Sequence, residues 1–210
     1  MITRKETAVK AINNGEPKFG QWSEELQQDE ALVLKAASVK GNILWYIPKE
    51  RRTESICKAA VKSDGSMLCE VPREHRTKEI CEAAVGNYGR ALFCVPKEHF
   101  TKEMCETAIQ DWQSGDVLEL IPGEWLTEAM CLKAVSDNGL YLSSVPEDMR
   151  TYDVCLTAVK HDGFALRWVP KELCTDEIFA EADAYIEKLD QRRRKYWYPE
   201  YLAIKESKKA

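Results

Sequence analysis

One threonine-led phrase returns along this chain at a fixed interval, and that interval constrains the fold more than any other feature. The stretch 71–101 reads VPREHRTKEICEAAVGNYGRALFCVPKEHFT, so Val-Pro-x-Glu-His at Val71 recurs at Val95. Aligning on the threonine gives Thr53, Thr77, Thr101, Thr127, Thr151 and Thr175, with Asp29 in the same role earlier. The spacings are 24, 24, 24, 26, 24 and 24 residues, the longer one reflecting two extra residues in QDWQSGD. A period in this range is the signature of stacked repeats. Six units run from Asp29 to Cys174.

Counting the threonine as offset 0, the columns at offsets 3, 4, 7, 8, 15 and 18 are apolar in every unit. Unit two supplies Ile56, Cys57, Ala60, Val61, Leu68 and Val71. Offsets 3, 4, 7 and 8 mark one face of an α-helix. Thr or Asp at offset 0 is an N-cap, and acidic residues such as Glu54, Glu79 and Asp153 suit the positive end of that helix. Glycine at offset 12 (Gly41, Gly65, Gly89, Gly139, Gly163) is expected to end the helix with positive φ. A second helix of roughly two turns then covers offsets 15 and 18. Proline follows each time, from Pro48 to Pro170, and suits the start of a further short helical piece.

One such hairpin cannot bury its own apolar face, whereas copies stacked on one another bury a continuous core. The expected fold is therefore all-α, an α-solenoid of stacked helical hairpins. Residues 1–28 are expected to form a degraded N-terminal repeat or cap, 29–174 the six tandem repeats, and 175–210 a capping helix and tail. Asp183 interrupts the last apolar column, as a polar outer cap requires. Trp197 and Tyr201 are expected to tuck back against it.

The segment SEELQQDEALVLKAASVKGNILWYIPKE resembles a tandem bacterial helical repeat catalogued as a domain of unknown function, written roughly E-E-L-x-x-D-x-x-φ-φ-x-x-A-x-x-x-x-G-x-x-L-x-x-φ. The resemblance spans about residues 23–180. Similar repeats occur in effectors and uncharacterised proteins of host-associated bacteria, so the resemblance implies a bacterial interaction module and transfers no active site; an adaptor within an effector or phage-related system is a variant of that expectation. Cysteine at offset 4 and proline at offset 19 depart from the looser general pattern.

Of the eight cysteines, Cys57, Cys81, Cys105, Cys131 and Cys155 occupy offset 4. Helices pack ~8–10 Å apart, beyond the reach of a disulfide or a shared zinc. These thiols are expected to pack as small buried side chains, and no disulfide is expected anywhere. Cys69, Cys94 and Cys174 lie off the column. The carboxylates at offset 21, from Glu50 to Glu172, suit the start of a short helix rather than a cation site. His75 and His99 lack a paired ligand at short spacing. No metal, cofactor or catalytic motif is expected.

The net charge of −5 disfavours duplex nucleic acid as a partner. No segment approaches the ~20 apolar residues of a membrane span, and the stretch MITRKETAVKAINNG has no apolar run long enough for a secretory signal. A cytoplasmic protein is expected, with signal-independent export left open. Function is then expected in columns that vary between units, namely offsets 13, 16 and 17. Their aromatic and arginine residues are Trp45, Tyr46, Arg90, Phe93, Phe164, Arg167 and Trp168, and Trp112 stands in the lengthened loop. Such residues dominate binding hot spots. The expected function is a non-catalytic scaffold for a protein or peptide. A small-ligand site using Arg90 and Arg167, or an enzyme site near Trp112, are the alternatives.

Overall fold

The computed structural model describes residues 2–111 and 115–209, without the side chains of residues 192, 193, 197 and 209. Its α-helices are α1 (Lys5–Asn13), α2 (Glu24–Gln28), α3 (Glu30–Val39), α4 (Glu54–Ser63), α5 (Lys78–Asn87), α6 (Lys102–Gln110), α7 (Glu128–Asp137), α8 (Tyr152–His161), α9 (Asp176–Lys188) and α10 (Gln191–Lys209). There is no strand among the described residues, only an isolated bridge between Ile2 and Trp22. Contacts divide the chain into two compact units, residues 1–108 and 109–210. In the first, α3, α4 and α5 pack in succession; in the second, α7, α8 and α9 do the same. Each unit is thus an all-α stack of helical repeats, the layered arrangement of an α-solenoid.

The caps are where the sequence puts them. The side-chain oxygen of Asp29 accepts from the Leu32 amide at 3.0 Å, and that of Thr101 from Met104 at 3.1 Å. Thr53, Thr77, Thr127, Thr151 and Thr175 each accept in the same way from the third residue of their helix. All six apolar columns are buried in all six units. A seventh column set begins with Ile178, Phe179 and Ala182, so α9 closes the second stack with the same face.

The second arm of each repeat is a six-residue 3₁₀ helix, not a two-turn α-helix: Gly41–Tyr46, Gly65–Glu70, Gly89–Cys94, Gly115–Leu120, Gly139–Ser144 and Gly163–Trp168. With three residues per turn, offsets 12, 15 and 18 fall on one edge, which places Leu and Val directly above the glycine. Offset 14 is buried as well in Ile43, Met67, Ala91, Val117 and Ala165. A three-residue 3₁₀ turn follows each proline in five units, carrying the offset 21 carboxylate in its first turn.

The repeat glycine does not take positive φ; among the described residues only Gly15 and Lys18 do. Helix α4 instead ends on an extended residue, Asp64 at φ −150°, one position earlier. Glycine is required because the next repeat comes so close. A Cβ on Gly65 would lie within van der Waals overlap of the Ala84 carbonyl oxygen, and one on Gly41 or Gly139 would meet Ala60 or Ala158 in the same way. The amide at this position also reaches across: Gly65 N–H donates to Asn87 Oδ1 at 3.0 Å, Gly41 to Ser63 Oγ at 3.2 Å, and Gly139 to His161 Nδ1 at 3.2 Å.

An arginine clamp joins repeats at offset 23. Arg76 Nε donates to its own repeat's Val71 carbonyl at 2.9 Å, while Nη1 donates to Cys94 of the following repeat at 2.8 Å. Arg150 spans Val145 and Trp168 at 2.9 and 3.0 Å. Arg52 reaches Ile47 and Glu70 and is only 6% exposed. These guanidinium groups satisfy carbonyls that a short 3₁₀ helix leaves without partners. Where the last repeat has Cys174 in place of arginine, Lys208 of α10 donates to the Val169 carbonyl at 2.7 Å.

The column cysteines remain free thiols, fully buried. They do more than fill space: Cys57 and Cys81 each direct Sγ at the carbonyl of the residue five back, at 3.6 Å. Burial pushes the thiols of Cys57, Cys81, Cys105, Cys131 and Cys155 up to about 11.

The C-terminal segment, expected as a capping helix and tail, is made of α9 and α10, the latter running to Lys209. Asp183, placed where an outer polar face is expected, instead anchors the last helix. It accepts from the Tyr201 hydroxyl and from Lys205 Nζ, both at 2.6 Å. Tyr201 is buried as expected, at 1% exposure, and burial followed by the Asp183 contact raises its pKa. The Trp197 side chain lies outside the described residues.

Candidate functional site

Among the described residues of the second unit, the residues selected from the sequence converge on the 3₁₀ segment 163–168. Asp162 caps that segment, its carboxylate accepting from the Phe164 amide at 2.9 Å, and the Arg150 clamp holds its last carbonyl at Trp168. With both ends fixed, three side chains face a half-open cleft of about 500 Å³: Phe164, Arg167 and Trp168. Leu140 from the preceding 3₁₀ segment, the capping Asp162, Tyr185 from α9, Leu189 just after it, and Glu200 from α10 complete the lining.

The walls are mutually braced. Phe164 meets Tyr185 edge-on, ring centres 6.4 Å apart at 85°, a favoured aromatic geometry. The Arg167 guanidinium lies 5.3 Å from the centre of the Trp168 ring and donates to Glu200 Oε1 at 2.5 Å. Its charge is therefore already matched by a carboxylate. What the cleft presents to a newcomer is chiefly aromatic and aliphatic surface, with the Arg167–Glu200 pair and the Asp162 carboxylate as its charged groups. That composition fits an apolar side chain on a polar backbone better than a free anion.

The first unit carries a different array. Trp45 is 59% exposed, Tyr46 58% and Phe93 49%. Trp45, Cys69 and Phe93 all occupy offset 16 and all are exposed, so this column is a surface row and not inter-repeat core. Arg90 at offset 13 is exposed too. Tyr46 instead turns towards the N-terminal segment, its ring 6.5 Å from that of Phe19. Trp112 lies outside the described residues.

No disulfide was expected, yet Cys69 and Cys94 lie at disulfide distance, with Cα atoms 5.2 Å apart. Spacing between α-helices was the wrong measure for this pair. These two cysteines sit at offsets 16 and 17 on successive 3₁₀ segments, where their Cα atoms fall within the ~7 Å that a disulfide can span.

Tyr185, Leu189 and Glu200 were not among the sequence candidates. They come from helices that run past the end of the periodic array, so no column comparison singles them out. Leu140 shares offset 13 with Phe164, and that shared offset was the available signal.

Fold and surface together define an all-α helical-repeat protein whose variable columns are partly solvent-facing. Two of its segments, residues 53–101 and 127–174, match the family described as a domain of unknown function (DUF4116). The matches fall on units two and three and on units five and six, in keeping with the resemblance read from the repeat pattern. No curated protein and no solved structure matches the chain. None of the helices among the described residues is long and apolar enough to cross a membrane.

Proposed function

We propose that this protein is a non-catalytic scaffold that binds a peptide segment of a protein partner. The observation that carries the reading is the cleft lined by Phe164, Arg167 and Trp168, three residues chosen from the variable columns that come together in one concavity. Aromatic side chains bury much area on contact, and tryptophan and arginine are both enriched among binding hot spots. The exposed Trp45 and Phe93 extend the same residue chemistry to the first unit. A small apolar ligand is the second reading, favoured by a volume within the ~300–1,000 Å³ range of small-molecule sites.

The test is selection of a random-peptide display library on the immobilised full chain, run in parallel on Trp168→Ala. The expected outcome is an enriched consensus containing an apolar anchor, weakened by about 2 kcal/mol or roughly 30-fold in the variant, with an unchanged melting temperature. Absence of any enriched consensus, or equal enrichment on both proteins, contradicts the reading.

A further inference from the structure

We propose that Cys69 and Cys94 form a reversible redox site, a dithiol that exchanges with small disulfides of the glutathione class while the buried column thiols stay inert. The inference is independent of what the cleft binds. It starts from a difference in placement. The five column cysteines are fully buried, whereas Cys69 is exposed and Cys94 half-buried on the outer row of 3₁₀ segments. Thiol exchange requires access for the attacking sulfur and for the incoming disulfide, and the column thiols lack it.

The two backbones are also held together by something other than the bond. Arg76 donates from Nη1 to the Cys94 carbonyl at 2.8 Å and from Nη2 to the Cys69 carbonyl at 3.1 Å. One guanidinium therefore grips both residues and keeps them in bridging range when the sulfurs are reduced. Neither Arg52 nor Arg150 does this for a cysteine pair: Arg52 reaches Glu70, and Arg150 reaches Trp168. The site is specific to the junction of units two and three.

The chemistry closes in two exchanges. The exposed Cys69 thiolate attacks one sulfur of oxidised glutathione, forming a mixed disulfide and expelling one glutathione thiolate. The Cys94 thiolate then attacks the Cys69 sulfur, breaking the mixed disulfide and expelling the second. The two protons lost by the cysteines pass to the two departing thiolates, and the two electrons lost by the protein reside on two molecules of reduced glutathione. Excess reduced glutathione drives the same steps backwards.

The experiment uses the full chain, fully reduced, then exposed to oxidised glutathione, alkylated and peptide-mapped by mass spectrometry. The expected result is a single Cys69–Cys94 cross-link, removed by excess reduced glutathione. Cys69→Ser is expected to retain the helical circular dichroism of the parent and to accumulate a glutathione adduct on Cys94 that does not resolve; Cys94→Ser gives the mirror result on Cys69. Cross-links at Cys174 or at a column cysteine overturn the proposal. So does a glutathione adduct that persists on Cys69 in the parent protein, or a chain that emerges with both thiols still free.

Discussion

Two glycines separate what a residue does from what its type suggests. Gly65 is buried at a junction where a Cβ would overlap the Ala84 carbonyl oxygen, a backbone atom with little room to retreat. Gly65→Ala is expected to cost about 3 kcal/mol in a urea titration, as overpacking against backbone does. Gly86 lies near the end of α5 with nothing within 4 Å of its would-be Cβ, so Gly86→Ala is expected to stabilise by about 0.5–1 kcal/mol. Equal effects at the two positions would refute the close-approach account. The column thiols make a second residue-scale prediction. Their folded pKa of about 11 stands above the ordinary value of 9.0, so folding favours the protonated form. The resulting stability is fully present below about pH 9 and is lost as pH rises from there towards 11. Denaturation midpoints of the reduced protein measured from pH 7 to 11 are expected to hold level and then fall, and replacing Cys57 and Cys81 by alanine should flatten the fall.

The arginine clamp acts between elements, and its removal is an element-scale test. Arg52→Met keeps the buried stem but strips the donors from the Ile47 and Glu70 carbonyls. A loss of about 2–3 kcal/mol is expected by chemical denaturation, and Arg52→Lys should rescue little, since one ammonium cannot reproduce the planar fork. Full rescue by lysine would show that charge alone suffices. This clamp was not legible in the sequence, although the caps and six core columns were. Those columns are uniform, while offset 23 holds Arg52, Arg76 and Arg150 but also Phe100, Leu126 and Cys174, so it carries no consistent pattern. The 3₁₀ character of the second arm was hidden for another reason: Leu and Val three apart satisfy an α-helix and a 3₁₀ helix alike. Glycine at offset 12 was legible as necessary and misread in cause, because crowding from the next repeat cannot be seen inside one repeat. Half of the cleft was readable, in Phe164, Arg167 and Trp168; Tyr185 and Glu200 lie beyond the periodic region and follow no column.

At the scale of the molecule, each stack holds through contacts that one repeat makes with the next: close glycine approaches at Gly41, Gly65, Gly115, Gly139 and Gly163, cross-repeat hydrogen bonds from Gly41, Gly65 and Gly139, and arginine clamps at Arg52, Arg76 and Arg150. Few of these interactions survive within a repeat taken alone. The ends are finished by non-repeating parts: Asp183 draws α10 onto α9, and Lys208 supplies the donor that Cys174 does not. Such an array should gain stability stepwise, each added repeat contributing its own cost of ordering plus one favourable junction. The most direct measurement is the unfolding free energy of fragments that start at Asp29 and end after one, two and three repeats, all within the first unit, followed by circular dichroism in urea. The account predicts that a single repeat has no cooperative transition and that stability then rises with each junction added. A single repeat that folds alone, or fragments whose stability does not depend on the number of repeats, would contradict it.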